Sequence, residues 1–135
     1  MTYPAFAVRK AVFARLSVDA PLLALLGGAQ VFDHVPRGRK PPYLVIGESS
    51  SQPIDAGPPV ATEHRLALTA WSEQPGSSEA AAVIEAALAC LAVMPATIDG
   101  HRVIRLDTTA TELRVDRERR QTRAIARLRA VTEAP

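Results

Sequence analysis

Three histidines, one cysteine and fourteen carboxylates are the side chains of this 135-residue chain that could carry metal, nucleophilic or acid–base chemistry. His34, His64 and His101 fall in three different predicted strands, with neither H-x-H nor H-E-x-x-H spacing. They are therefore expected to be solvent-exposed strand residues, with no metal site. Cys90 sits among small apolar residues on a predicted helix, which predicts a buried, inert thiol. A cysteine–histidine nucleophile would require it to leave that face. One cysteine also excludes an intrachain disulfide framework. Asp33, Glu48, Glu63 and Glu73 flank the first three strands. Acid–base work would need a pocket to shift their pKa values, so pairing with Arg65 or Arg102 is the expected role. Gly27-Gly28 lacks the strand–glycine-rich–helix order of a phosphate loop and reads as a helix stop. No cofactor is expected, and the chain is read as not an enzyme.

The remaining chemistry is cationic. Of sixteen basic residues, fourteen are arginine, and the formal net charge is +2. Residues 1–100 carry 7 basic and 9 acidic side chains, and residues 101–135 carry 9 and 5. Arg37, Arg39 and Lys40 lie in a proline-rich turn, Pro36 to Pro42. Arg114, Arg117, Arg119 and Arg120 belong to a charged hairpin tip, 114–120. Arg123, Arg127 and Arg129 project from one face of the last strand. Arginine suits interface ion pairs because its planar fork bonds carboxylates at two points. As a nucleic-acid signal this polarity is weak, and 4% aromatic content speaks against base stacking. A small DNA-binding domain is the lesser alternative.

The elements that position these groups follow from periodicity and punctuation. An apolar fraction of 47% fits a globular chain of one domain, 1–135. No apolar run reaches the ~18 residues of a membrane span, and the N-terminus lacks the pattern of a signal peptide. Pro4 opens a first helix, roughly 4–17, with Thr2 as its cap and Phe6, Val8, Val12, Phe13 and Leu16 as its core face. Asp19 caps a short helix, Ala20 to Leu26. Val31 to Val35 reads as a strand, as do Tyr43 to Glu48 and Glu63 to Ser72. Between the last two, Ser49 to Thr62 reads as a long, loop-like hairpin arm, expected to be mobile until a partner orders it. Its Ile54, Asp55 and Val60 are candidate contacts. A helix over 78–93 presents Ala80, Val83, Ile84, Ala87, Leu88 and Leu91 as one stripe, with Ala81, Ala82, Ala86 and Ala89 permitting close approach to a sheet. Asp99-Gly100 is a turn, and His101 to Leu106 and Thr122 to Val131 are the closing strands. The order α-α-β-β-β-α-β-β predicts an α+β fold: a mostly antiparallel sheet of four to five strands with helices packed on one face.

These segments resemble a known family. Tyr3-Pro4-Ala5-Phe6, Leu22 to Gly28, Val31 to Pro36, Pro42 to Glu48, Glu63 to Ser72, Asp99 to Arg102 and Arg127 to Glu133 follow, in order and spacing, the tail-completion (tail-terminator) family of long-tailed phages and gene transfer agents. The resemblance covers nearly the whole chain. It implies a structural protein forming a hexameric ring on the head-proximal end of the tail tube, which stops tube polymerisation and joins tail to head. The partners implied are other copies of the chain, the tail tube protein and the head–tail connector protein. DNA enters only as cargo passing through the lumen, with no membrane involved and assembly in the cytoplasm. A different head–tail joining or minor tail protein is the nearest alternative. The basic turn, the arm and the arginine-rich tip and strand are the candidate assembly sites. The family supplies no catalytic residues.

Overall fold

The computed structural model describes residues 3–54, 57 and 60–134. Among these, the chain runs α1 (Pro4–Leu16), α2 (Ala20–Leu26), β1 (Val31–Phe32), β2 (Tyr43–Ile54), β3 (Ala61–Ser72), α3 (Ser78–Leu91), β4 (Thr97–Ile98), β5 (His101–Asp116) and β6 (Gln121–Glu133). The strands form one six-stranded sheet in the order β1-β2-β3-β6-β5-β4. β1 pairs with β2 in parallel, and every other pairing is antiparallel.

The sheet exceeds the expected four to five strands. The added strand is β4, only two residues long, so no periodicity could reveal it. It pairs with β5 through Asp99 and Gly100, both at positive φ (47° and 83°). Positive φ at both central residues gives the turn whose twist suits a two-residue hairpin. β1 is correspondingly shorter than the expected 31–35.

The expected loop at 49–62 is largely strand. β2 continues to Ile54 and β3 begins at Ala61, with Ser49 opposite Leu66 and Ile54 opposite Ala61. Serine, glutamine and proline are poor strand formers alone. Here Ser50 and Ser51 lie opposite Arg65 and His64 of a partner strand that is itself paired on its far side with β6. Asp55 lies outside the described residues, as does Thr2. The register of β2 shifts between Ile46 and Ser49, a bulge that Arg9 of α1 clips. Its guanidinium donates to the carbonyls of Gly47 and Ile46 and to the carboxylate of Asp33. The closing hairpin is likewise longer than expected, so the charged tip shrinks to residues 117–120.

One sheet face carries the core. Leu66, Leu68 and Ala70 of β3 stand opposite Leu128, Ala126 and Ala124 of β6, with Leu44 and Ile46 beside them on β2. α3 lies over β3 and β6, while α1 packs against β2 and α3. Ala80 and Ala87 are the buried alanines of α3; Ala89 is exposed and Leu88 only half-buried. Asp19 caps α2 by accepting from the Leu22 amide at 3.1 Å, and Gly27, in the left-handed region, ends it. α1 departs from expectation. Ala7, Val8, Val12 and Leu16 form its core face, whereas Phe6 and Phe13 point outward, 56% and 39% exposed. The apolar residues of this helix occupy two faces, and the smaller ones are those whose arc meets the sheet.

Candidate assembly interface

Strand alternation places Arg65 of β3 and Arg123, Arg127 and Arg129 of β6 on the face opposite the core, as expected for β6. β5 adds Arg105, Asp107, Glu112 and Arg114. Two carboxylates organise this face. Glu63 accepts from Arg129 Nε at 2.7 Å and from Arg65 Nε at 2.9 Å. Glu112 accepts from Arg127 Nε at 3.0 Å and from Arg114 Nη2 at 2.9 Å. The Arg129 hydrogen bond is the main cause holding the Glu63 pKa below the ordinary carboxylate value, with Arg65 adding to it against partial burial. Arg114 and then Arg127 do the same for Glu112. Arg102 pairs with Glu133, so the expectation that carboxylates serve as partners for Arg65 and Arg102 holds for Glu63 only; Asp33 pairs with Arg9.

At the β5–β6 end the compensation fails. Arg123 lies over the Trp71 ring, 5.3 Å from its centroid, an attraction between cation and ring face. Arg114, Arg117, Arg119 and Arg123 line an open cleft with Trp71. Among the described residues Arg117, Arg120 and Arg123 have no carboxylate partner, and Arg119 reaches Asp116 only at 3.9 Å. Arg37, Arg39 and Lys40 are exposed in the β1–β2 turn, Arg39 lying over Phe32. Val60 is exposed and Ile54 half-buried at the far end of the β2–β3 hairpin. The candidate residues thus form three separate patches rather than one site.

The histidines differ from expectation. His34 is exposed, but His64 and His101 are buried. His64 shares the parity of Leu66 and Leu68, so period two turns it to the core face. Its ring nitrogens bond Ser51 Oγ at 2.7 Å and Thr132 Oγ1 at 2.9 Å, tying β2, β3 and β6 together. Burial, followed by the nearby His101, pushes its pKa down. No three His, Cys, Asp or Glu side chains gather as a metal site among the described residues. Cys90 is buried, its thiol pKa raised chiefly by burial, and it contacts the Arg15 carbonyl at 3.5 Å.

No curated protein matches the sequence. A chain in the solved structure of the virion of a native gene transfer agent particle has the same fold. The TM-score is 0.81 at 23% identity, covering 98% of this chain and 100% of that one. The family described as tail completion protein gp17 matches residues 10–133. The chain therefore belongs to the tail completion protein gp17 family and is a structural protein of a phage-type tail.

Proposed function

We propose that the protein is a tail terminator: a hexameric ring on the head-proximal end of the tail tube that halts tube polymerisation and docks the head–tail connector. Family membership over residues 10–133 carries this reading. It treats residues 1–135 as one domain with a structural rather than catalytic role, assembled in the cytoplasm and carried into the particle, with DNA as cargo through the lumen and no membrane. A closed ring needs two unlike patches on each subunit, and the fold presents several. The arginine cleft beside Trp71, with Arg114, Arg117, Arg119 and Arg123, the Arg120 of the same hairpin tip, and the ladder through Arg127 and Arg129 suit acidic surfaces. The turn with Arg37, Arg39 and Lys40 and the hairpin end with Ile54 and Val60 supply the others.

Particles lacking the protein should carry tails of uncontrolled length that fail to join heads. The purified chain, alone or with tail tube protein, should give a six-fold mass by native mass spectrometry. Tails of normal length, and a subunit that stays monomeric and ignores tube protein, would refute the reading. The Trp71 cleft favours one other reading, phosphate-backbone binding. Affinity for duplex DNA that falls steeply with salt would support it; no binding at about 50 mM salt would remove it.

A further inference from the structure

Helix α1 is apolar on two sides, and only one of them is used. Ala7, Val8, Val12 and Leu16 enter the core. Phe6, Lys10 and Phe13 lie within a strip about 60° wide on the other side, at the ~100° per residue of an α-helix. Tyr3, one turn earlier, is also exposed. Half of the chain's six aromatic residues thus lie in this one exposed stretch. Isolated exposed apolar residues are ordinary, but an aromatic patch on a helix marks a contact surface. The single cation of the strip is held in place: Lys10 Nζ bonds Asp99 at 2.6 Å and lies 5.8 Å from the Phe6 ring centroid.

The complementary feature lies elsewhere on the chain. Because α3 rides over β3 and β6, the helix-side residues at the hairpin end of β5 are left uncovered, Leu113 at 54% exposure and Val115 beside Thr122. Between helix and strand runs an open, mainly apolar cleft of about 420 Å³, lined by Ala81, Ile84, Leu88, Leu113 and Ala124, with two carboxylates at its side, Glu85 and the Glu112 already held by Arg114 and Arg127. No residue of α1 lines it. The chain therefore carries an aromatic ridge with a cation and, separately, an apolar furrow with carboxylates at its side.

We infer that α1 of one subunit seats Phe6 and Phe13 in the α3–β5 cleft of the next copy, with Lys10 facing Glu85. The inference rests on the ring reading above and deepens it by naming the subunit contact. The charge signs match, the apolar surfaces match, and the two patches are unlike. Unlike patches on each copy are what a heterologous contact needs in order to close into a ring rather than a two-fold dimer.

The test uses the full chain with Cys90→Ala, so that only introduced thiols react. Phe6→Cys and Leu113→Cys are made in separate chains, mixed, assembled with tail tube protein and oxidised. A disulfide-linked dimer in the mixture, absent from either chain alone, is the expected result. Phe13→Asp and Leu113→Asp, both at exposed positions, should keep the native circular dichroism and melting temperature. Each should raise the concentration needed for half-assembly about tenfold or more, the size of a buried aromatic anchor. Rings of normal mass and affinity without the mixed cross-link would overturn this contact and leave the ring reading standing. So would a Phe6–Phe6 cross-link, or rings that persist in Phe13→Asp while tube binding is lost. No ring under any condition would overturn both.

Discussion

The two faces of the sheet are made by the same strands, residue by alternating residue, yet they are held by opposite means. On the covered face Leu44, Ile46, Leu66 and Leu68 interlock with alanines of β6 under α1 and α3. On the open face arginines share carboxylates, each of Glu63 and Glu112 serving two. The covered face gains from removing apolar area from water, at about 25 cal/mol per Å². The open face gains mainly by avoiding uncompensated charge, in a solvent that screens what it gains. The difference implies that the covered face sets whether the subunit folds, and that the open face contributes little to that.

Leu68→Ala should produce the largest effect. Leu68 is fully buried between Ile46 and Ala126, where the sheet cannot collapse into the gap. A loss of about 2–5 kcal/mol is expected. Urea unfolding should show the midpoint falling with an unchanged slope. A loss no larger than that of an open-face arginine would end the distinction between the faces.

Arg9→Ala comes next, because one guanidinium serves two carbonyls at the β2 bulge and Asp33. Leaving part-buried carbonyls without a donor costs about 1–3 kcal/mol. Faster amide exchange around Ile46–Ser49 than in β6 would locate the damage. Uniform exchange would show that the clip is not local.

Acid separates the faces by pH. His64, on the covered face, has a lowered pKa, so the folded chain resists its protonation while the unfolded chain accepts a proton near the ordinary 6.5. Its contribution is therefore lost as pH falls below about 6.5 and levels off below the folded value. The groups facing it are His101 and the hydroxyls of Ser51 and Thr132. Glu63 and Glu112 are also lowered, but from 4.5, so their stabilisation is full above that value and lost only at more acid pH. Melting temperature against pH should thus fall in two stages. His64→Gln should flatten the first and spare the second; an unaltered first stage would remove His64 as its origin.

Much of this was legible in the strands. Leu66, Leu68, Ala70, Ala124, Ala126 and Leu128 alternate with a row that holds Arg65, Thr69, Arg123, Arg127 and Arg129, and β6 shows the clearest period, which gave both faces at once. The same parity places His64 on the covered row, where Ser51 and Thr132 rather than water meet its polarity. In α1, Val8, Val12 and Leu16 stand on the expected core face and Ala7 joins them, while Phe6 and Phe13 fall on the opposite arc because position on the helix, not side-chain size, decides what meets the sheet. β4 was beyond reach because two residues carry no period. The 49–54 strand was hidden because its pairing energy comes from β3 rather than from its own serines. The Glu63 and Glu112 forks join strands distant in sequence, which only the register brings together.

The smallest effects should still rank by burial. Arg129 is the less exposed cation and serves Glu63, whose side chain is only 11% exposed; Arg127 serves Glu112 at 33%. Arg127→Ala leaves Glu112 with Arg114 and with water, so the melting temperature should not change measurably. Arg129→Ala leaves Glu63 with Arg65 alone in a less hydrated site, so a small but resolvable fall is expected, and 0.5 M salt should diminish it only in part. If both substitutions were silent in the free subunit, the ladder would contribute nothing to folding and its conformational order would serve the assembled state alone. If Arg127→Ala cost more than Arg129→Ala, position along the sheet rather than burial would govern the open face, and the contrast between the faces would need a different basis.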